Sequence, residues 1–120
     1  MEKKKIYLLE DDPDIQELVK YILTRDGYKV FAFGKVKDFN VQVQKALPDL
    51  FILDVSLPDG NGLEVTKKIV TQADSVPPVL LMSADIINQE IALASGARYF
   101  MRKPFNIADL LSRVEILLAA

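Results

Sequence analysis

Short apolar runs alternate along the chain with stretches in which apolar residues recur every three or four positions. The runs predict strands at about residues 4–10, 28–33, 49–54, 78–83 and 98–102. The stretches between them predict amphipathic helices near residues 13–26, 35–47, 61–73 and 85–95, and from 106 to the end. Five strand–helix alternations predict an α/β fold, a doubly wound five-stranded parallel sheet with helices on both faces.

Composition is that of one folded domain. The chain has 120 residues, half of them hydrophobic, and we expect residues 1–120 to form a single domain. No apolar run approaches the ~20 residues of a membrane span, and Lys3-Lys4-Lys5 leads into a short strand rather than a signal peptide. Cysteine is absent, so disulfides and thiolate metal sites are excluded. We therefore expect a cytoplasmic protein that does not act at a membrane.

Net charge and the lack of histidine restrict the chemistry. A formal net charge of −2 leaves no basic surplus for phosphates, so we expect no direct nucleic-acid binding by this chain. Because histidine is absent, any catalysis or metal binding must use carboxylates, hydroxyls and lysines.

Acidic residues follow two of the predicted strands. Glu10-Asp11-Asp12 ends the first apolar run, and Asp54 ends the third. In an open parallel sheet, ligands bind just past the carboxyl ends of the strands. Carboxylates roughly 5 Å apart repel by ~3 kcal/mol per pair at an effective dielectric of ~20. Such a cluster needs a compensating cation, and Mg²⁺ prefers oxygen ligands, so a magnesium site is predicted here if the two strands are neighbours.

The same rim collects a hydroxyl and an ammonium group. Ser83 ends the fourth predicted strand and Lys103 follows the fifth. This set suits phosphoryl transfer, in which Asp54 attacks phosphorus while Ser83 and Lys103 bind the phosphoryl oxygens. Such a reaction depends on positioning and charge neutralisation more than on acid–base chemistry, so it needs no histidine. A backbone carbonyl at Ser56 is a further candidate metal ligand.

Several short motifs together resemble the receiver domain of two-component response regulators, typified by the chemotaxis receiver. They are Leu8-Leu9-Glu10-Asp11-Asp12, Pro48-Asp49-Leu50-Phe51-Ile52-Leu53-Asp54, Leu57-Pro58-Asp59-Gly60-Asn61-Gly62, Met82-Ser83-Ala84, Gly96-Ala97 and Lys103-Pro104-Phe105. Each motif is weak alone, but their order at the ends of the strands is highly specific and covers essentially the whole chain. The resemblance implies a flavodoxin-like sheet with strand order 2-1-3-4-5.

The resemblance also implies roles for individual residues. Asp54 would be the phosphoacceptor. Asp11 and Asp54 would bind Mg²⁺ directly, Glu10 largely through water, and the Ser56 carbonyl would complete the protein ligands. Lys103 would pair with the phosphoryl group. Ser83 and Phe100 would be the switch residues, and the bond from Lys103 to Pro104 would be cis.

A function and partners follow from this resemblance. A sensor histidine kinase or phosphotransfer protein would phosphorylate Asp54, and a downstream effector protein or domain would read the change. The effector surface would comprise the fourth helix, fifth strand and fifth helix, including Ile86, Ile87, Tyr99 and Arg102, and it is also a candidate homodimer interface. The protein would not be an enzyme for other substrates, since it would catalyse only its own phosphorylation and dephosphorylation.

Three other functions are alternatives to this one. A degenerate receiver would bind proteins independently of phosphorylation, but such domains usually lose part of the set formed by the acid pair, Asp54, Ser83 and Lys103. A phosphatase of the haloacid dehalogenase type needs a second aspartate where this chain has Ser56. An FMN carrier would need a phosphate-binding loop after the first strand, where the acidic loop would repel phosphate.

Overall fold

Five main strands and five helices alternate along the part of the chain that the structure describes, as the apolar pattern predicts. The structure is a computed structural model that describes residues 2–87 and 89–119. The strands are β1 (Lys5–Leu9), β2 (Lys29–Phe33), β3 (Leu50–Asp54), β4 (Ser56–Leu57), β5 (Gly60–Asn61), β6 (Val79–Ser83) and β7 (Tyr99–Arg102). The helices are α1 (Pro13–Arg25), α2 (Val36–Lys45), α3 (Gly62–Thr71), α4 (Gln89–Ala94) and α5 (Ile107–Ala119).

The long strands form one parallel sheet in the order β2-β1-β3-β6-β7. Counted over these five strands alone, the order is 2-1-3-4-5, which confirms the predicted fold. The two-residue strands β4 and β5 pair antiparallel in a separate small ribbon, which the apolar pattern did not predict. This ribbon belongs to the loop that leads from Asp54 to α3.

Each face of the sheet is covered by one hydrophobic cluster. Along β1, Ile6 and Leu8 join one cluster whereas Tyr7 and Leu9 join the other, because successive side chains of a strand point to opposite faces. The first cluster contains residues of α1 and α5, namely Val19, Leu23, Leu110, Val114 and Leu117. The second contains residues of α2, α3 and α4, namely Phe39, Val65, Ile69 and Ala92. Among the described residues, none of the helices combines the length and apolar character that a membrane crossing requires.

Local signals set the ends of the first helix. Asp12 is the N-cap of α1, and its side chain accepts hydrogen bonds from the backbone N–H groups of Asp14 and Ile15 at 2.9 and 3.1 Å. Pro13 occupies the first turn, where its missing N–H costs nothing. Gly27 follows the helix with a φ of 100°, a backbone conformation that glycine adopts without steric cost.

The fourth helix is shorter than predicted. The sequence predicted helix from residue 85, but α4 begins at Gln89. Asp85 is instead held in a turn, where its backbone N–H donates to the Ser83 hydroxyl at 3.0 Å and its carbonyl accepts from the Ile87 N–H at 3.1 Å. Residue 88 lies outside the described residues. The local turn hydrogen bonds compete with helix formation here.

Candidate functional site

The acidic residues predicted to meet do meet. Leu9 of β1 pairs with Leu53 of β3, so Glu10 and Asp54, the next residues of each strand, lie side by side at the carboxyl edge of the sheet. They line a cavity of about 260 Å³ together with Asp11, Ser56 and Lys103. The two strands are neighbours, which is the condition on which the predicted site depended.

Lys103 provides the positive charge of the site. Its ammonium group lies 2.9 Å from an Asp54 carboxylate oxygen and also contacts the Glu10 carboxylate. All three side chains are nearly buried, with 10% of Lys103, 6% of Asp54 and none of Glu10 exposed. The bond from Lys103 to Pro104 is cis, as predicted. One cation thus faces two carboxylates, and all three side chains are largely shielded from solvent.

Burial and charge shift the protonation of this cluster. Burial raises the pKa of Glu10 to about 7, and nearby Asp54 adds to the rise although the Lys103 hydrogen bond opposes it. Burial alone would lower the pKa of Lys103, but its hydrogen bonds to Glu10 and Asp54 outweigh burial and raise that pKa above its ordinary value. Lys103 therefore remains a cation at neutral pH.

Three carboxylates are close enough to share a metal ion. Oxygens of Glu10, Asp11 and Asp54 lie within 4.8 Å of one another, and Asp11 is exposed whereas the other two are buried. Magnesium binds such hard oxygen ligands through one or two carboxylates and retains several water molecules. The cavity is open at Asp11 to admit that water, so the donor set fits Mg²⁺.

Ser83 is buried at the end of β6, beside Asp54's strand. Its side chain is fully inaccessible to solvent, and it hydrogen-bonds to backbone atoms of Asp85 rather than lining the cavity. The backbone also ties Ser83 to the lysine, because the Lys103 N–H donates to the Ser83 carbonyl at 2.8 Å. The structure thus brings Ser83 to the rim, while its predicted contact with a phosphoryl group stays a prediction.

The predicted switch residue Phe100 and two residues predicted for the effector surface, Tyr99 and Arg102, lie on β7, whereas Ile86 and Ile87 lie between β6 and α4. Phe100 is half-buried and packs against the second hydrophobic cluster. Ile86 is 92% exposed, and the Arg102 guanidinium donates to the Ile87 carbonyl at 3.4 Å. Tyr99 is half-buried under Arg113 of α5, whose guanidinium carbon lies 3.8 Å from the ring centre.

Sequence reasoning missed the close contact of Gly62 with the acid strand. A Cβ atom at Gly62 would lie 2.2 Å from the backbone oxygen of Asp54, a distance that no side chain tolerates. The Gly62 N–H donates to the Val55 carbonyl at 2.8 Å. This glycine therefore lets α3 begin directly against the strand that carries Asp54. Its signal in the sequence was its place in the motif from Leu57 to Gly62, eight residues after an acidic strand end.

The chain is similar to known proteins in sequence and in fold. The family model of the response regulator receiver domain matches residues 6–115. The chain belongs to the response regulator receiver family. As a receiver, it is 34% identical over 117 residues to the transcriptional regulatory protein KdpE of Staphylococcus aureus, covering 96% of this chain and 50% of that protein. It is 31% identical over 115 residues to the DNA-binding response regulator MtrA of Mycolicibacterium smegmatis, covering 94% and 50%.

A solved receiver has the same fold. The non-phosphorylated HemR receiver domain of Leptospira biflexa is 32% identical, with a TM-score of 0.88 over 98% of this chain and 96% of that one. The chain spans about half the length of the curated relatives described above. Receiver domains generally bind Mg²⁺ in an acidic pocket, and the group formed by Glu10, Asp11 and Asp54 is such a pocket.

Proposed function

We propose that this receiver accepts a phosphoryl group on Asp54 from a sensor histidine kinase or phosphotransfer protein. The observation that carries the proposal is the pairing of Asp54 with Lys103 at 2.9 Å, at the edge of a cavity that also contains Glu10 and Asp11. A carboxylate oxygen of Asp54 attacks phosphorus, and the bond from phosphorus to the donor breaks with its electron pair leaving on the donor. The product is an acyl phosphate.

The charges of the site suit this transfer. A phosphoryl group brings negative charge to a place that already holds three carboxylates, so transfer requires cations in fixed positions. Lys103 is one such cation, because it is held by Glu10 and Asp54 before any ligand arrives. Bound Mg²⁺ would supply the remaining positive charge, with Asp11 and Asp54 as direct ligands, Glu10 acting largely through water, and the Ser56 carbonyl as the third protein ligand.

The output is proposed to be a change of surface rather than a reaction on another substrate. Ser83 would bind the phosphoryl group, and Phe100, on the neighbouring strand, would follow it. The surface formed by α4, β7 and α5 would then favour an effector protein or domain, or a second copy of the chain. Such a switch requires only differential stabilisation of two states. The chain would catalyse its own phosphorylation and dephosphorylation and act in the cytoplasm, as one domain over residues 1–120.

Phosphorylation-independent binding is the alternative that the sequence left open. A constitutive binding module would have no need of a buried lysine held between two carboxylates, since assembling such charges away from water is costly. The observed pairing of Lys103 with Glu10 and Asp54 therefore favours the phosphoacceptor function.

Acetyl phosphate tests the proposal without knowledge of the kinase. The protein, with Asp54→Ala beside it, is incubated with acetyl phosphate in the presence and absence of Mg²⁺, and the intact mass is measured. We expect one added phosphoryl group on the wild type, only with Mg²⁺, and none on Asp54→Ala. If folded wild-type protein gained no mass and also failed to bind beryllofluoride, the proposal would be overturned in favour of the constitutive binding module.

A further inference from the structure

Asp85 links two segments of the rim that come from different strands. Its carboxylate accepts a hydrogen bond from the Ser56 hydroxyl, and its backbone N–H donates to the Ser83 hydroxyl at 3.0 Å. Ser56 follows β3 and Asp85 follows β6, which are neighbouring strands of the sheet. One residue thus connects the loop after the acid strand to the loop after the serine strand.

This connection lies at the opening of the acidic cavity. Ser56 and Asp85 are both exposed and both line the cavity that contains Asp54 and Lys103. Their hydrogen bond therefore bridges the loops after β3 and β6 at this opening. A charged acceptor strengthens it, because hydrogen bonds to an ionised carboxylate are roughly twice as strong as neutral ones.

The Ser83 hydroxyl has one proton to donate, and the backbone carbonyl of Asp85 accepts it. Besides accepting from the Asp85 N–H, the hydroxyl donates to the Asp85 carbonyl at 3.5 Å. A serine hydroxyl donates a single hydrogen bond, so it cannot give the same proton to a phosphoryl oxygen. The long distance of this bond makes it easy to exchange for a better acceptor.

We propose, on the basis of phosphoryl transfer to Asp54, that Asp85 is a positioning residue that stabilises the resting site. Its backbone holds the Ser83 hydroxyl, and its carboxylate holds Ser56 across the opening. Engagement of a phosphoryl group by Ser83 changes the turn at Asp85 and releases the carboxylate from Ser56. The hydrogen bond between Ser56 and Asp85 is therefore present in the resting state and lost in the phosphorylated state, and it opposes phosphorylation.

Beryllofluoride mimics a phosphoryl group on aspartate. Its affinity, measured by isothermal titration calorimetry at saturating Mg²⁺, shows how strongly the hydrogen bond between Ser56 and Asp85 opposes phosphorylation. Ser56→Ala keeps the backbone carbonyl and removes only the hydroxyl. We expect Ser56→Ala and Asp85→Ala each to bind beryllofluoride about 3- to 10-fold more tightly, the range of one hydrogen bond. The double variant should bind no more tightly than the tighter single variant, because both changes remove the same bond.

Asp85→Asn separates the hydrogen bond from the negative charge. Its amide oxygen still accepts from Ser56 but more weakly than the carboxylate, so its affinity should lie between those of the wild type and Asp85→Ala. An Asp85→Asn gain as large as that of Asp85→Ala would overturn the proposal, since charge repulsion alone would then explain both variants. Glu115→Gln, which removes an exposed carboxylate of α5, is the control for net charge.

The outcomes separate this proposal from the proposed function. Wild-type binding together with an unchanged Ser56→Ala affinity would overturn the role of Asp85 and leave phosphorylation of Asp54 standing. Folded wild-type protein that binds no beryllofluoride would overturn both. Thermal unfolding of each variant, monitored by circular dichroism, verifies that the compared proteins are folded.

Discussion

The ammonium group of Lys103 lies 2.9 Å from a carboxylate oxygen of Asp54. Lys103 comes from the loop after the last strand of the sheet and Asp54 from its central strand, so the contact joins distant parts of the chain. It neutralises part of an acidic cluster that Glu10 and Asp11 complete. The contribution of this contact to the free energy of unfolding can be compared with that of an exposed ion pair.

Lys103→Met should lower the free energy of unfolding at pH 7 without Mg²⁺ by about 2–4 kcal/mol, because it leaves buried carboxylates without a partner. Lys67→Met is the matched control. Lys67 pairs with Glu64 at 3.4 Å on the surface of α3, and breaking this exposed pair should cost less than about 0.5 kcal/mol. Urea unfolding measures both variants, and equal losses would contradict the structural role given to Lys103.

Asp11→Ala should weaken Mg²⁺ binding at least about tenfold, because even residues that only orient a metal ligand contribute that much. Asp14→Ala removes an exposed carboxylate three residues away that lies in the first turn of α1, outside the group of three carboxylates. It should leave the affinity almost unchanged. Isothermal titration calorimetry with MgCl₂ compares the two variants, and equal weakening would show that general charge, not a site, holds the ion.

Gly62→Ala should destabilise the fold by about 1–3 kcal/mol, the usual cost of forcing atoms into a packed region. Its Cβ would lie 2.2 Å from the Asp54 backbone oxygen, so the acid strand or α3 must shift. Gly34→Ala is the control, because the nearest atom to its Cβ would be 4.0 Å away. Urea unfolding should show little change for Gly34→Ala, and a neutral Gly62→Ala would contradict the close approach.

Asp59 should stabilise the protein in a pH-dependent way. Its carboxylate accepts hydrogen bonds from the backbone N–H groups of Val36 and Lys37 at 2.8 and 3.1 Å, and the Val36 bond is the main reason that the pKa of Asp59 lies below its ordinary value of 3.8. A lowered pKa in the folded state means that the stabilisation is complete above the ordinary pKa and disappears as pH falls through the lowered one.

Thermal unfolding of Asp59→Ala tests the direction of this pH dependence. Its Tm should lie a few degrees below that of the wild type at pH 7, and the difference should shrink below about pH 4. Asp74→Ala, at an exposed position after α3, should show no such trend. A Tm difference that is constant from pH 7 to the acid range would mean that the ionised carboxylate does not stabilise α2.

Local sequence patterns were sufficient to predict the fold and the acidic edge of the site. Glu10 and Asp54 each follow a run of apolar residues, and in a parallel sheet such strand ends meet at one edge, as the pairing of Leu9 with Leu53 confirms. Asp12 was also identifiable as a helix cap, because its hydrogen bonds reach only two and three residues along the chain.

Contacts between distant loops were not predictable in the same way. Asp59 caps α2 across 23 residues, where Lys35 makes no side-chain cap. The hydrogen bond from Ser56 to Asp85 spans 29 residues. Such bonds depend on how loops fold against each other, which apolar periodicity does not record. The late start of α4 has a different, local origin, since the Asp85 N–H donates to the hydroxyl of Ser83, two residues earlier, instead of joining a helix.

The position of the added phosphoryl group decides whether Asp54 is the phosphoacceptor. Protein treated with acetyl phosphate and Mg²⁺ is reduced with borohydride, which converts an aspartyl phosphate to homoserine, and peptides are then sequenced by mass spectrometry. We predict homoserine at position 54 alone, and only when Mg²⁺ was present during phosphorylation. Homoserine at position 11 or 12, or an Asp54→Asn variant that is modified as fully as the wild type, would contradict the account.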